Sequence, residues 1–437
     1  STVDVEYNIA PFYFALWPEL LRMELDQWPA YINEGVLDHD MGVGLEANEM
    51  AYWHPMEIEE NTNYVLLLHS YWRRSGDDEI VRRNFDSVRE LLDWVTDADT
   101  DEDGFPEEGL YNTIDQGSPA IQYASDQVYL AVRQIVAYQA GAQMAREAGE
   151  PAVADAWARR AALTASTLAE RGWLEDHFVV ALNQQEQMTS RGLDADGGEG
   201  MEYDGDEYIG MDWEERQHYE GSSDDSTMRG WDSYSIYTTN GLVYPWGVGM
   251  MVDGLELPRL REDIRNATAA TMGEFGSPHT SHESNMWVSQ NIWRDMAAAY
   301  LGIDWIDNAE RYWDLQRYIN TEKFGAFTDV YVYERDSTSL DYYPRGVAAF
   351  GMIDALAGLQ FDRVEGVLSL APLRAPLRIP LLMFADWKAG EIPWLNVEGD
   401  ADDPRISIEG ELPDGIEVWL RPRGEPFADG REIAVGG

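Results

Sequence analysis

The chain contains no cysteine. Disulfides, thiol nucleophiles and thiolate metal sites are therefore excluded together. Lysine is nearly absent as well: Lys323 and Lys388 are the two, so 29 of the 31 basic residues are arginine. Against them stand 81 acidic residues, for a formal net charge of −50. No basic stripe exists to meet phosphates, which argues against a nucleic-acid partner. No apolar run reaches the ~18 residues needed to cross a bilayer, so no membrane-spanning helix is expected. The chain opens on Ser1-Thr2-Val3-Asp4 with neither Met nor a recognisable signal peptide. A missing upstream segment is expected on that ground, and the compartment stays open between secretion and the cytoplasm of a salt-adapted organism.

What is present is a large aromatic load, 17 Trp, 23 Tyr and 12 Phe, within an apolar share of 44%. A chain of 437 residues with that content buries a sizeable core and is not a disordered acidic polymer. An acidic, lysine-poor surface over an ordinary core suits high salt. At molar ionic strength the Debye length falls to about 3 Å, and the self-repulsion of the charge is screened.

Helical periodicity is read over residues 11–28, 56–75, 79–95, 123–148, 151–171, 235–251, 258–272, 285–301, 305–318 and 345–359. In the third of these, Ile80, Val81, Phe85, Val88, Leu91, Leu92 and Val95 share one face. After Phe361 the texture changes to short β-like runs at 364–368, 377–384, 405–408, 416–421 and 431–435, split by Gly, Pro and Asp. The expected fold is mainly α: an (α/α) six-hairpin barrel over residues 1–360, with 183–231 as an insertion or rim loop. A small antiparallel β extension over 361–437 is expected to pack on it.

One stretch stands out chemically. Asp101-Glu102-Asp103-Gly104-Phe105-Pro106-Glu107-Glu108-Gly109 leads through Tyr111-Asn112-Thr113-Ile114 to Asp115, a long polar loop between two helices. Loops of this kind on a helical scaffold carry chemistry, and Asp115 is read as a catalytic acid. Asp99-x-Asp101-x-Asp103-Gly104 has the spacing of the first half of a calcium loop, but Leu110 stands where the twelfth-position acid belongs. A structural Ca²⁺ on Asp99, Asp101 and Asp103 is the one metal expectation; no cofactor is required. The spacing of His279, His282 and Glu283 is too unspecific to define a metal site.

The ordered set His39-Asp40-Met41-Gly42, Asp101-x-Asp103-Gly104 with Glu107-Glu108-Gly109, Thr113-Ile114-Asp115 and Tyr129-Leu130-Ala131 resembles the catalytic barrel of glycoside hydrolase family 116 β-glucosidases. Residues 230–237 (with Trp231 and Asp232), Trp287-Val288-Ser289-Gln290-Asn291 and Tyr342-Tyr343-Pro344-Arg345-Gly346 are more similar to the related family 52 β-xylosidases. The resemblance implies Asp115 as the general acid/base and His39 and Asp4 as sugar contacts, with Arg345 a substitute for a family arginine. Asp40, Asp232, His282 and Glu283 are taken with them as substrate-binding candidates. Trp53, Trp231, Trp287 and Tyr343 are candidate rings for stacking on sugar faces. Ser1-Thr2-Val3-Asp4 matches a family run that follows the nucleophilic glutamate, so the nucleophile is expected upstream of Ser1 or on a companion chain.

The function expected is that of a retaining β-glycosidase acting on β-xylosides or β-glucosides in high salt, with its two carboxyls about 5–5.5 Å apart. Its acid must be protonated near the working pH, through burial and a neighbouring carboxylate. A complete, inverting enzyme is the nearest alternative, with Glu57, Glu60 or Glu283 activating water at a wider carboxyl separation. A sugar epimerase using His39 and His282, or a non-catalytic carbohydrate-binding subunit, are the others. The expected partners are a carbohydrate substrate and such a companion chain; the oligomeric state stays open.

Overall fold

The computed structural model describes residues 2–39, 56–114, 118, 120–121, 124–182, 230–319 and 327–433. Among them are eleven α-helices. They are α1 (Val3–Leu16), α2 (Pro18–Gln27), α3 (Glu57–Ser75), α4 (Asp78–Asp97), α5 (Val128–Glu147), α6 (Pro151–Arg171), α7 (Val243–Gly247), α8 (Leu257–Thr271), α9 (Val288–Tyr300), α10 (Asn308–Ile319) and α11 (Phe350–Ala357).

Burial divides these helices into two sets. In α9 all 13 residues are buried, and in α3 and α5 burial runs through nearly every turn. A helix apolar on all sides belongs inside. By contrast α6 buries only a stripe, Ala154, Trp157, Ala161, Thr164, Ala165 and Leu168. In α4 the whole apolar face read from the sequence is buried. The buried helices form an inner ring: α1 packs on α3, α3 on α5, α5 on the 3₁₀ turn Asn240–Leu242 that leads into α7, that turn on α9, and α9 on α11. The ring closes because α11 and the 3₁₀ segment Pro344–Ala349 before it pack back on α1. Gly351 sits at that closure; a Cβ there would strike the Met296 sulfur and lie 3.2 Å from Pro11 Cβ. Helices α2, α4, α6, α8 and α10 alternate with the inner segments along the chain and bury one face each. This is a six-hairpin α/α barrel, mainly α, as periodicity predicts.

Small β elements decorate it. The two-residue hairpins β1 (Ile32–Asn33) with β2 (Val36–Leu37), and β3 (Trp173–Leu174) with β4 (His177–Phe178), end the first and third helical hairpins. Strands β5 (Asn285–Trp287), β6 (Thr328–Val332) and β7 (Ser337–Asp341) form an antiparallel sheet whose first strand leads directly into α9. Periodicity alone reads none of these. The helix expected from Ser235 is instead turns, a 3₁₀ turn and the five-residue α7, where Gly241, Pro245 and Gly247 interrupt the run. The helix expected from Pro11 to Trp28 is two, broken at Trp17-Pro18.

Beyond α11 lie β8 (Gln360–Asp362), β9 (Val367–Leu370), β10 (Leu377–Pro380), β11 (Trp394–Asp400), β12 (Asp403–Glu409), β13 (Glu417–Leu420) and β14 (Arg431–Glu432). They make an antiparallel sheet β10-β11-β12 and a sheet β14-β13-β9-β8, antiparallel except for the β9–β13 pair. Leu359, Phe361, Leu368, Leu370, Ile379, Leu395 and Val397 form a second apolar cluster inside this extension.

Candidate functional site

Helix starts leave backbone N–H groups unpaired and carry the positive end of the helix dipole, so one end of the inner ring is prepared for carboxylates. The sequence places acids there. Asp4 lies in the first turn of α1, and Glu57, Glu59 and Glu60 lie in the first turn of α3. All four are buried.

Partners from other inner segments hold them. The Asp4 carboxylate is paired with Arg345, from the first turn of the Pro344–Ala349 segment, and accepts the Thr113 hydroxyl at 2.9 Å. His39 Nδ1 lies 2.7 Å from Glu60 Oε1 and 3.5 Å from Asp4 Oδ1. Asn63 Nδ2 donates to the other Glu60 oxygen at 2.7 Å, and the Arg133 guanidinium donates to Asn63 Oδ1. Glu59 accepts the Thr113 backbone N–H at 2.6 Å and the Tyr129 hydroxyl at 2.8 Å. The network thus ties the start of α1, α3 and α5 to residue 345.

Its charges are unequal. Burial would raise the Asp4 carboxyl, but Arg345, His39 and the Thr113 hydroxyl outweigh it and hold that carboxyl below its ordinary value. Burial pushes Glu60 up to about 8, against the opposing bond from His39. Burial also raises Glu59, with Arg133 as the main counterweight. One end of the ring therefore holds an ionised Asp4 beside carboxyls that bind protons readily, the contrast that acid/base chemistry uses.

A second group adjoins it through Arg345. The guanidinium lies 5.0 Å over the Trp287 ring and 5.1 Å over Tyr343. Asp329, on β6, accepts the backbone N–H of Ser289 at 2.8 Å and its hydroxyl at 2.7 Å, capping the start of α9. Next to Trp287 sit His279, Tyr237 and Glu283: the His279 ring is 4.9 Å from Tyr237 and 5.6 Å from Trp287, and its Nδ1 is 3.8 Å from Glu283 Oε1. Burial pushes the Glu283 carboxyl well above its usual range; burial, then Arg345, pulls His279 well below its own.

The sequence-derived residues divide accordingly. Asp4, His39 and Arg345 converge on one network, and Glu283, Trp287 and Tyr343 adjoin it. Asp115, Asp40 and Trp53 lie outside the described residues; the neighbours Thr113 and Ser118 touch the network and Glu283 respectively. Asp232 is exposed, and its backbone oxygen lies 3.0 Å from His177 Nε2 and not in the network. His282 is exposed beside Gly230. Trp287 is not an open stacking platform, because Arg345 covers its ring and the residue is 2% exposed. Glu59, Asn63, Tyr129, Arg133, Tyr237 and His279 carry the network without having been singled out for it. The signal for the first two was available in Glu57-Ile58-Glu59-Glu60-Asn61-Thr62-Asn63, polar residues crowding the start of a helix that is otherwise buried.

The acids in the first half of the acidic loop form a cluster of their own. One donor atom from each of Asp99, Asp101, Asp103 and Glu107 falls within 4.8 Å of the others. Gly104 N–H donates to Asp99 Oδ2 at 2.9 Å, the tight turn such a loop needs, but Arg160 also pairs with Asp99 and Arg171 with Asp103. Gly104 has φ +98°, and a Cβ there would meet the Thr164 backbone at 2.9 Å. Asp4, His39 and Glu60 could also place three donor atoms within 4.8 Å, although Arg345 already supplies a cation to Asp4. An apolar cavity of about 180 Å³, walled by Leu242, Trp246, Leu260 and Phe427, is formed by other residues; Trp246 packs on Tyr300, the last residue of α9.

Comparison with known proteins adds the following. A family model described as the glutaminase A six helical-hairpin domain matches residues 1–191. No curated protein matches the chain. Among solved structures, a GH78 family rhamnosidase of Bacillus sp. GL1 is similar over 97% of this chain and 40% of its own, with 16% identity and a TM-score of 0.57. An α-L-rhamnosidase from Dictyoglumus thermophilum is similar over 96% of this chain and 40% of its own, at 12% identity and a TM-score of 0.55. A rhamnosidase from Klebsiella oxytoca with rhamnose bound is similar over 81% of this chain and 57% of its own, at 12% identity and a TM-score of 0.50. The chain spans about 40% of the length of the first of these structures. At these identities the likeness establishes the fold.

Proposed function

We propose that this chain is the α/α-barrel part of a glycoside hydrolase, with its sugar site at the end of the inner ring where α1, α3 and α5 begin. The observation that carries this reading is the convergence of Asp4, His39, Glu60 and Arg345 there, four buried polar groups from four separate segments. The fold it shares with the solved rhamnosidases supports the reaction class.

In the finer reading the reaction retains configuration and the substrate is a β-xyloside or β-glucoside. Asp115 then protonates the leaving oxygen, and a glutamate upstream of Ser1 or on a companion chain attacks the anomeric carbon. Asp4, kept ionised by Arg345, accepts sugar hydroxyls, and the acidic surface fits work at high salt.

The test is hydrolysis of aryl β-xyloside, β-glucoside and α-L-rhamnoside at molar salt, by the chain alone and with any polypeptide that co-purifies. Asp115→Asn is expected to remove turnover of poorly activated leaving groups. Release of ammonia from L-glutamine with no glycoside cleaved would overturn the reading in favour of amide hydrolysis.

A further inference from the structure

Ser118, Tyr237, His279, Glu283 and Trp287 share an unusual property. The Ser118 and Tyr237 hydroxyls, both His279 ring nitrogens, both Glu283 oxygens and Trp287 Nε1 are shielded from solvent, and none closes a hydrogen bond. The backbones of Ser118 and Thr280 lie near Glu283 and favour its ionised form without closing such a bond. Buried polar atoms are almost always paired, and each orphan costs free energy. Seven in one neighbourhood call for a partner that the described residues do not provide. The neighbourhood is held firmly: Ser235 bridges to Thr280, Pro278 to Met286, and β5 pairs with β6. The unpaired atoms are therefore fixed features of the scaffold.

We propose that Tyr237, His279, Glu283 and Trp287 form the recognition subsite for the hydroxyl groups of an uncharged sugar ring, and that uronic acids are excluded from it. This rests on the glycoside hydrolase reading and names its substrate class. The complement suits a polyol: Trp287 offers a donor, His279 one donor and one acceptor when neutral, and Tyr237, Ser118 and a protonated carboxyl offer both. It does not suit an anion. Arg345 is the cation beside Trp287, and its Nη2 is already paired with the Asp4 carboxylate. Burial favours a neutral His279, so no imidazolium is on hand to pair with a sugar carboxylate. The surrounding chain carries −50, which repels an anionic ligand further.

The test is titration with methyl glycosides of rhamnose, xylose and glucose, and with methyl glucuronide, at molar salt, read by saturation-transfer NMR. Neutral glycosides are expected to bind and the glucuronide not to bind. Tyr237→Phe should weaken neutral binding about tenfold, the loss of one hydrogen bond. Glu283→Gln, which keeps a donor and an acceptor, should bind as wild type does, whereas Glu283→Ala should weaken. Unchanged thermal unfolding of Tyr237→Phe and Glu283→Gln shows that the fold is intact. Equal affinity for glucuronide, or neutral binding untouched in both Tyr237→Phe and Glu283→Ala, would overturn the subsite and leave these atoms to ordered water only. Failure of the parent reading looks different: neutral sugars bind through these residues but no glycoside is cleaved. Cleavage with KM unchanged in the same two variants refutes the subsite alone.

Discussion

Arg345→Met replaces a buried cation by an apolar side chain of similar reach and leaves the buried Asp4 carboxylate without its main counter-charge. Asp4 and Arg345 are each 1% exposed, so water cannot take over. Breaking such a pair from one side costs about 3–5 kcal/mol, mostly the penalty of the stranded charge. Unfolding entropy of about 2.1 cal/mol/K per residue, over 437 residues, gives about 0.9 kcal/mol/K, so Tm should fall by roughly 3–5 °C. Asp4→Asn in the same background removes the stranded charge, and the double variant should regain part of that loss. The assay is thermal unfolding of wild type, both single variants and the double variant, at moderate and at molar salt. A buried pair is little screened, so the coupling should be the same at both. The reasoning fails if Arg345→Met lies within 1 kcal/mol of wild type, or if Asp4→Asn simply adds its own loss to it.

Three further outcomes are expected. Burial pulls the His69 imidazole from 6.5 to about 4, so the folded state binds fewer protons than the unfolded one between those values. Its stabilising contribution is full above pH 6.5 and falls by about 3 kcal/mol as pH drops to 4, at about 1.4 kcal/mol per pH unit; His69→Gln should remove that part of the acid slope in urea titrations. Raising KCl from dilute to molar should raise Tm as the −50 charge is screened, and a flat response would remove the argument for salt adaptation. Millimolar Ca²⁺ should raise Tm and a chelator lower it through Asp99, Asp101 and Asp103, with Asp101→Asn abolishing both effects; indifference to calcium would mean that Arg160 and Arg171 alone balance these acids.

The architecture was legible where burial has a period. The stripe Ile80 to Val95 marks α4 as one-sided, and Pro at its first position marks the start of α6. The short strands β1 to β7 escaped because runs of two to five residues are too short to show a period; the β-branched and aromatic run Val330-Tyr331-Val332 was an available signal. The site was legible in part. Asp4, His39 and Arg345 could be named singly, but only the folded chain shows that they touch. Nothing local links Tyr237 to His279, which meet across the Ser235–Thr280 bridge, or Arg133 to Asn63, which meet where α5 packs on α3. His279 looked like a metal ligand of poor spacing, and its meaning lies in the unpaired atoms around it.

The Asp4–Arg345 contact also bears on how the chain is made. It spans 341 residues and joins the first inner helix to the last inner segment. At 5–20 residues per second, roughly 20–70 s separate the synthesis of the two partners. For all that time α1 lacks its closing neighbour, and its apolar face is exposed to other chains or to a chaperone. The ring cannot shut during translation until residue 345 has left the ribosome, so premature release before that point yields an open, adhesive intermediate and not a smaller working barrel.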